Sequence, residues 1–236
     1  MRILHVVNVR WYNATAWYAV SLADAMSKAG HPSAVLGMPG SPPIDKAKEA
    51  GLDAFEAPLN SSNIFKVLKS IRAVKKAIKE FKPDYIVCHR GEMFWYFTHM
   101  RFRHNPSWKL VRVRGDIRPP RTGKMTRWLY KNSVDGVIAS GDFIKKYFTD
   151  DMGLNRSRCA TIYGGVDTSR FRYSEKGRER IRNEFGFKDD DKVVGLIGRY
   201  DPVKGHEKAL QALSVIKNRE KLDNVKLLIA GFDAVI

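Results

Sequence analysis

Two cations, Arg199 and Lys204, lie on either side of a turn between an apolar strand pattern and an apolar-periodic helix. The strand pattern is Val193–Ile197, Gly198 follows it, and Gly205 opens the helix. The N–H groups and the dipole at a helix N-terminus favour anions, and ligands of doubly wound sheets dock beyond the carboxyl ends of strands. We therefore predict that Gly198, Arg199 and Lys204 bind phosphate; the alternative is a solvated turn.

Ionisable side chains also follow a strand pattern nearer the N-terminus. This pattern ends at His89, with Glu92 shortly after it. Such groups at strand ends are candidates for a ligand-binding or catalytic site. The alternative is that they are incidental polar residues.

Other chemistries have little support. The six histidines have no metal-ligand spacing, and the two cysteines, Cys88 and Cys159, are far apart in sequence. There is no Gly-x-Ser-x-Gly motif. No Gly-x-Gly-x-x-Gly follows the first strand, which argues against a dinucleotide oxidoreductase. We expect neither a metal nor a cofactor.

The charge balance is strongly basic. The 236 residues carry a net charge of +17, which indicates an anionic partner: nucleic acid, acidic lipid headgroups or phosphorylated substrates. No apolar run approaches the length of a membrane span, and the apolar N-terminal run is too short for a signal peptide. Two cysteines exclude a disulfide scaffold. These features predict a cytoplasmic protein with reduced thiols.

Strand and helix patterns alternate along most of the chain. The first strand lies within Met1–Val9, the first helix over Thr15–Lys28, and the alternation continues to the strand Cys159–Ile162. It predicts an α/β fold with a Rossmann-like, doubly wound parallel sheet. An irregular stretch follows, and a partial second Rossmann-like β-α-β unit begins at Lys192. We therefore predict two domains, residues 1–165 and 166–236.

The second predicted domain is short. A single β-α-β unit cannot cover both faces of a parallel sheet, although its helix, Gly205–Arg219, is expected to bury Ala209, Leu210, Leu213 and Ile216. Three explanations stay open: the unit packs on the first domain, it pairs with another copy to form a homodimer, or further residues complete it.

The clearest helix pattern is Ser61–Lys82, with apolar residues at helical spacing and cations over much of the other side. We interpret the basic side as a solvated surface. The alternative is a helix lying near an anionic membrane, but no exposed Trp or Phe is expected on the basic side.

The segment VGLIGRYDPVKGHEKALQAL, followed by VKLLIAGFD, resembles the start of the nucleotide-sugar domain of group 1 glycosyltransferases with the GT-B fold. Retaining members of this family carry a Gly-Arg, a short loop and a Lys-Gly, which here are Gly198-Arg199 and Lys204-Gly205. The segment Ile162–Asp167, which contains Gly164 and Gly165, is similar to the family's hinge between domains. The resemblance covers nearly the whole chain.

The resemblance implies an acceptor-side first domain and a second domain that binds a nucleotide-diphosphate sugar as donor. Arg199 and Lys204 would then hold the donor diphosphate and stabilise the charge on the leaving group without a metal. The implied reaction is glycosyl transfer with retention to a glycan or lipid-linked acceptor, as in cell-envelope polysaccharide or lipopolysaccharide synthesis. The basic surface suits an acidic acceptor and peripheral contact with the inner face of the plasma membrane.

Some positions depart from the family pattern. The first loop lacks the usual Gly-Gly pair, and we expect Asn13 and Thr15 of this loop to shape the acceptor site. Arg114 stands where many members have a histidine, and Asp116 retains an acidic group near it. With His89, these two residues are the catalytic candidates.

The family's pair of glutamates in the second domain, spaced by seven residues, has no counterpart before Ile236. We therefore expect little or no transferase activity from this chain alone. One alternative function is a truncated fragment that acts only as an acceptor-side or partner-binding module. Another is a basic nucleic-acid-binding protein, but the cations are spread over many helices and no nucleic-acid motif is present, so we expect no nucleic acid partner.

Overall fold

The computed structural model describes residues 1–59, 63–91 and 94–231. The chain forms two compact units, Met1–Gly165 and Val166–Ile236, called unit 1 and unit 2 below. Each unit is built around a parallel sheet of its own.

Unit 1 contains a seven-stranded, all-parallel sheet. Its strands are β1 (Ile3–Val7), β2 (Ser33–Gly37), β3 (Asp53–Glu56), β4 (Tyr85–Cys88), β5 (Lys109–Arg114), β6 (Gly136–Ala139) and β7 (Cys159–Thr161). Its α-helices are α1 (Ala14–Lys28), α2 (Pro42–Glu49), α3 (Ile64–Phe81), α4 (Phe94–His104), α5 (Lys124–Ser133) and α6 (Asp142–Lys146), and a π-helical turn, Tyr147–Asp151, continues α6. The strand order is β3-β2-β1-β4-β5-β6-β7. This confirms the predicted doubly wound, Rossmann-like sheet.

The strand order reverses between β1 and β4. Val6 of β1 pairs with Leu36 of β2 on one side and with Cys88 of β4 on the other. In open α/β sheets, ligands bind beyond the carboxyl ends of the strands at such a reversal. The topology therefore predicts a ligand site beyond Val7 and Cys88.

Apolar clusters lie on both faces of this sheet. Ala19 of α1 and Ile44 of α2 pack with Val7 in one cluster. Val74 of α3 and Phe97 of α4 belong to a cluster on the opposite face. Because both faces are covered, β1 and β2 are buried along their whole length, and their sequences are nearly continuous apolar runs.

The edge strand β3 corrects the sequence prediction, which placed no strand there. Its ends, Asp53 and Glu56, are exposed, and the two residues between them are half-buried. The segment therefore lacks a buried-strand pattern. It becomes a strand because its backbone pairs in parallel with Ala34–Gly37 of β2.

Helix α3 begins after Asn63, whose side-chain oxygen accepts hydrogen bonds from the N–H groups of Phe65 and Lys66. Phe65 is 77% exposed and lies one turn before Lys69, on the basic side of the helix. The expectation that no Phe would be exposed on that side is therefore wrong. Within the described ranges, no helix combines the length and the apolar character needed to cross a membrane.

Unit 2 contains β8 (Lys192–Ile197) and β9 (Val225–Ala230), which pair in parallel, and the helices α7 (Glu175–Phe185) and α8 (His206–Asn218). Among the residues of α8 only His206 is buried. Leu210 is 52% exposed, and Ala209, Leu213 and Ile216 are half-buried. The predicted burial of these four side chains is wrong because a two-stranded sheet offers a narrow surface for a helix to cover.

Candidate functional site

A cavity of about 760 Å³ lies within unit 1 at the carboxyl edge of the sheet. Segments that follow five strands line it: the start of α1 after β1, and the loops after β4, β5, β6 and β7. The cavity therefore lies where the strand order predicts a ligand site. Its size is that of a site for a small molecule.

His89 lines this cavity immediately after β4, and His5 of β1 lies behind it. His5 Nδ1 and His89 Nε2 are 3.1 Å apart, and the rings stack with centroids 5.4 Å apart. Burial lowers the pKa of His5 to about 4. Burial, then His5 and Arg112, lower the pKa of His89 well below its usual value. Both rings are therefore neutral near pH 7, and one donates a hydrogen bond to the other.

Arg112 of β5 brings a buried guanidinium to the same cavity, with 4% of the residue exposed. Its Nη1 donates to the carbonyl oxygen of Cys88 at 2.8 Å, and its guanidinium carbon lies 5.4 Å from the centre of the Phe94 ring. Its Nε has no hydrogen-bond partner among the described residues. Among the described residues, no carboxylate lies within ion-pair distance of Arg112.

Arg114 and Asp116 lie further along the same edge. Arg114 Nη2 donates to the carbonyl oxygen of Arg118 at 2.8 Å, while its Nε lacks a partner among the described residues. The Arg118 guanidinium contacts both oxygens of Asp116, with Nη2 2.6 Å from Oδ2. Hydrogen bonds from the Arg118 side chain and backbone hold the pKa of Asp116 down at about 2. Asp116 is therefore a persistent anion and a weak proton acceptor.

The two predicted residues of the first loop differ in placement. Thr15 lines the cavity. Asn13 is the N-cap of α1, and its side-chain oxygen accepts the N–H of Ala16 at 3.1 Å. Because that oxygen is already bonded, the structure gives Asn13 the role of positioning the start of α1 beside the cavity.

Gly164 and Gly165 end unit 1. Gly164 lines the cavity and Gly165 does not. Neither adopts a positive φ, and a Cβ at either position would meet nothing within 4 Å. The described structure therefore gives no steric reason for glycine at these positions, and their role as a hinge stays a prediction. Glu92 lies outside the described residues.

Unit 2 carries the predicted phosphate site on the segment between β8 and α8. Gly198 follows β8, and its Cα faces the Lys204 stem: an added Cβ would lie 3.6 Å from Lys204 Cδ. Arg199 Nη2 lies 3.0 Å from Asp201 Oδ2. Gly205, at φ +77°, turns the chain into α8.

Among the described residues, no side chain caps the first N–H groups of α8, and Lys204 forms no ion pair. An uncapped N-terminus beside two cations has the features of an anion site.

Sequence reasoning missed three residues of the site in unit 1: Arg112 and Arg118, which line the cavity, and His5, which lies behind His89. His5 and Arg112 are polar residues inside strand patterns, which is the signal that could have revealed them. A polar group buried in a parallel strand needs a partner or a ligand.

No group of three His, Cys, Asp or Glu residues within the described ranges is placed to hold a metal ion.

Comparison with known families identifies the chain. Residues 15–170 match Glycosyltransferase Family 4, and residues 177–234 match Glycosyl transferases group 1. The chain belongs to glycosyltransferase family 4. The resemblance to group 1 glycosyltransferases with the GT-B fold is thereby confirmed.

Relatives of this family 4 chain are distant. It is 34% identical to mannosylfructose-phosphate synthase of Agrobacterium fabrum over 100 residues, which cover 42% of this chain and 22% of that protein. It is 22% identical to the putative glycosyltransferase EpsD of Bacillus subtilis over 246 residues, which cover 99% of this chain and 59% of that protein. The crystal structure of Anabaena Alr3699/HepE in complex with UDP shares its fold, with a TM-score of 0.78 at 17% identity over 100% of this chain and 62% of that one. The chain therefore spans less than two thirds of each of these proteins.

Proposed function

We propose that this chain serves the transfer of a glycosyl group from a nucleotide-diphosphate sugar to a glycan or lipid-linked acceptor. The observation that carries the proposal is the match of residues 15–170 and 177–234 to two glycosyltransferase families in succession. Each unit also carries basic side chains beyond the carboxyl end of a parallel strand, where ligands of such sheets bind. The nucleic-acid-binding and partner-binding alternatives have no comparable support.

The donor diphosphate is assigned to unit 2. The Lys204 stem lies beside Gly198, and the start of α8, which no described side chain caps, supplies N–H groups. Lys204 and Arg199 would neutralise the charge that grows on the nucleoside diphosphate as its bond to the sugar breaks. Alr3699/HepE, which shares the fold, was crystallised with UDP, and this supports a nucleotide at such a site.

The acceptor is assigned to the cavity of unit 1. The acceptor hydroxyl must lose a proton as its oxygen bonds to the sugar. His89, held neutral by burial and with an Nδ1 that lacks a partner among the described residues, is the candidate there that can hydrogen-bond and orient this hydroxyl. Its lowered pKa makes it a weak base. Asp116 and Arg114 then act through their charges, because the low pKa of Asp116 makes it a weak base.

Nucleotide binding tests the donor assignment. A thermal-shift panel of UDP, GDP, ADP and CDP should show selective stabilisation by one of them, about 2.7 kcal/mol at one hundred times its Kd. Arg199→Ala and Lys204→Ala should each weaken that binding by about tenfold or more, since each removes a charge-assisted contact. Lys208→Ala, an exposed cation on α8, is the matched control. Equal nucleotide binding by the wild type and all three variants, or no binding of any nucleotide, would contradict the assignment.

We also propose that unit 1 contacts an anionic membrane at the cytoplasmic face through α4 and α5. The rings of Phe102 and Trp128 are 4.7 Å apart and are 55% and 44% exposed, and Met125, one turn before Trp128, is also exposed. Asp116 is the sole acidic residue in the sequence between Phe94 and Val134, a stretch rich in Arg and Lys. Aromatic side chains among cations suit the interface of an anionic bilayer.

Vesicle flotation tests this contact. The chain should float with phosphatidylglycerol vesicles at low salt, stay behind with phosphatidylcholine vesicles, and lose flotation in the double variant Phe102→Ser, Trp128→Ser. Phe143→Ser on α6, at a residue that is 63% exposed, is the control. Flotation that is unchanged in the double variant would remove this surface from consideration.

A further inference from the structure

We propose that the cavity of unit 1 binds a phosphate group carried by the acceptor, and that Arg112 and Arg114 hold it. The inference rests on the proposed function, since it takes the cavity as the acceptor site. It adds the chemical class of the acceptor and the two side chains that recognise it.

The charge around the cavity is the first observation. Arg90, Arg112, Arg114 and Arg118 line it, and Asp116 is the one acidic residue among its lining residues in the described structure. Both carboxylate oxygens of Asp116 already contact Arg118. Among the described residues, no carboxylate is therefore left to neutralise the charges of Arg112 and Arg114 at this site.

The burial of Arg112 is the second observation. A guanidinium that is removed from water without a counter-ion is costly. Here the cation has one carbonyl oxygen and one aromatic face as partners, and its Nε is without a hydrogen bond among the described residues. An anionic ligand in the cavity would supply the missing counter-charge and the missing acceptor.

Arg114 provides a second unsatisfied donor on the same side of the strand. Arg112 and Arg114 are two residues apart on β5, so their side chains leave the same face of the sheet. Arg114 uses Nη2 for the Arg118 carbonyl and keeps a buried Nε without a partner in the described structure. Planar guanidinium groups recognise phosphate oxygens through paired N–H donors.

His89 suits the same ligand. It lines the cavity, and its Nδ1 lacks a hydrogen-bond partner among the described residues. A neutral imidazole can give one hydrogen bond to a phosphate oxygen or take one from a neighbouring sugar hydroxyl. The cavity volume of about 760 Å³ accommodates a phosphorylated sugar or the headgroup of a phospholipid.

The test is calorimetric titration of the whole chain with three probes: glucose 6-phosphate, inorganic phosphate and UDP. Glucose 6-phosphate should bind, and Arg112→Gln and Arg114→Gln should each weaken it by about tenfold or more. Arg103→Gln, an exposed arginine on α4 outside the cavity, should leave the affinity unchanged. Arg114→Gln keeps the test decisive if Arg112→Gln does not fold, since Arg114 is only half-buried.

Two variants, each titrated with both ligands, distinguish the acceptor site from the donor site. Lys204→Ala should weaken UDP and leave glucose 6-phosphate unchanged, while Arg114→Gln should do the reverse. Phosphatidylglycerol vesicles, titrated against both variants, show whether a lipid headgroup is a better source of the phosphate than the soluble sugar. Either source supports the proposal if binding depends on Arg114.

Three results would overturn it: no binding of phosphate from either source, equal binding by wild type and Arg114→Gln, or loss of glucose 6-phosphate binding in Lys204→Ala alone. In each case UDP binding that depends on Lys204 would leave the proposed function standing. Loss of Lys204-dependent UDP binding with intact Arg114-dependent phosphate binding would instead contradict the donor assignment.

Discussion

His5 Nδ1 and His89 Nε2, 84 positions apart in sequence, lie 3.1 Å apart: His5 is on β1, and His89 follows the adjacent strand β4 and lines the cavity of unit 1. Neither ring has a carboxylate partner within the described ranges, and both are buried. Because burial disfavours the charged form of each ring, the fold keeps both rings neutral near pH 7.

This pair predicts acid sensitivity of unit 1. The folded-state pKa values lie below the usual value of 6.5, at about 4 for His5. The unfolded chain therefore binds more protons as the pH falls below 6.5. Each histidine should lower the free energy of unfolding by about 1.4 kcal/mol per pH unit between its unfolded and folded pKa values.

Urea unfolding of the wild type between pH 7.5 and pH 5 measures this slope. His5→Gln should reduce the change in the free energy of unfolding with pH by about the contribution of one histidine. His104→Gln, at an exposed residue on α4, should leave it unchanged. A slope in His5→Gln as steep as in the wild type would refute the neutral pair.

Asp116 should titrate with a pKa of about 2 because of Arg118. Arg118→Gln removes the charged partner, and we expect the pKa of Asp116 to rise toward the ordinary value of about 3.9. Carbon-13 NMR of the side-chain carboxyl carbons follows this titration directly. Arg121→Gln, an exposed arginine three residues further on, is the control, and an unshifted Asp116 in Arg118→Gln would show that the ion pair does not form in solution.

Asp135 should contribute strongly to the stability of unit 1. It accepts two hydrogen bonds at 3.1 Å from Arg101 of α4, and the N–H of Leu110 of β5 at 2.8 Å. Burial raises the pKa of Asp135, but the hydrogen bonds from Arg101 and Leu110 outweigh it and lower the pKa overall. The carboxylate therefore stabilises the fold above its unfolded pKa, and this contribution is lost as the pH falls through the lowered folded value.

Asp135→Asn should reduce the free energy of unfolding by about 1–3 kcal/mol at pH 7, because Arg101 loses its counter-ion. The matched control is Asp24→Asn, which breaks an exposed i,i+4 pair with Lys28 on α1 and should cost about 0.5 kcal/mol or less. Equal losses in the two variants would mean that Asp135 forms only a surface ion pair.

The sequence predicted the sheet of unit 1 because its strands are apolar runs separated by amphipathic helices. Such runs depend on local composition and are visible without the fold. Edge strand β3 was missed for the opposite reason: only pairing with β2 makes Asp53–Glu56 a strand.

The site was harder to predict than the fold. His89 could be proposed because it follows a strand pattern, and Arg114 because the family resemblance places it where many members have a histidine. The partner of His89 could not, because His5 is brought to it by the parallel pairing of β1 with β4. The ion pair of Asp116 with Arg118 depends on the local path of one loop, which composition does not fix.

The ion pair between Arg199 and Asp201 in unit 2 leads to a prediction about ligand affinity. The Asp201 carboxylate contacts Arg199 at 3.0 Å and also accepts the N–H of Val203 at 3.0 Å. Asp201 therefore competes with a bound diphosphate for Arg199 while it holds the turn before α8. Asp201→Asn keeps an oxygen that can accept the Val203 N–H but removes the competing charge.

We expect Asp201→Asn to tighten binding of the nucleoside diphosphate by about two- to fivefold, the range that an exposed ion pair of this kind allows. Isothermal titration at two salt concentrations measures the change, which should shrink at high salt. Asp223→Asn, at an exposed acid elsewhere in unit 2, controls for net charge. Weaker binding in Asp201→Asn would show the opposite relationship: that Asp201 orients Arg199 for the ligand instead of competing with it.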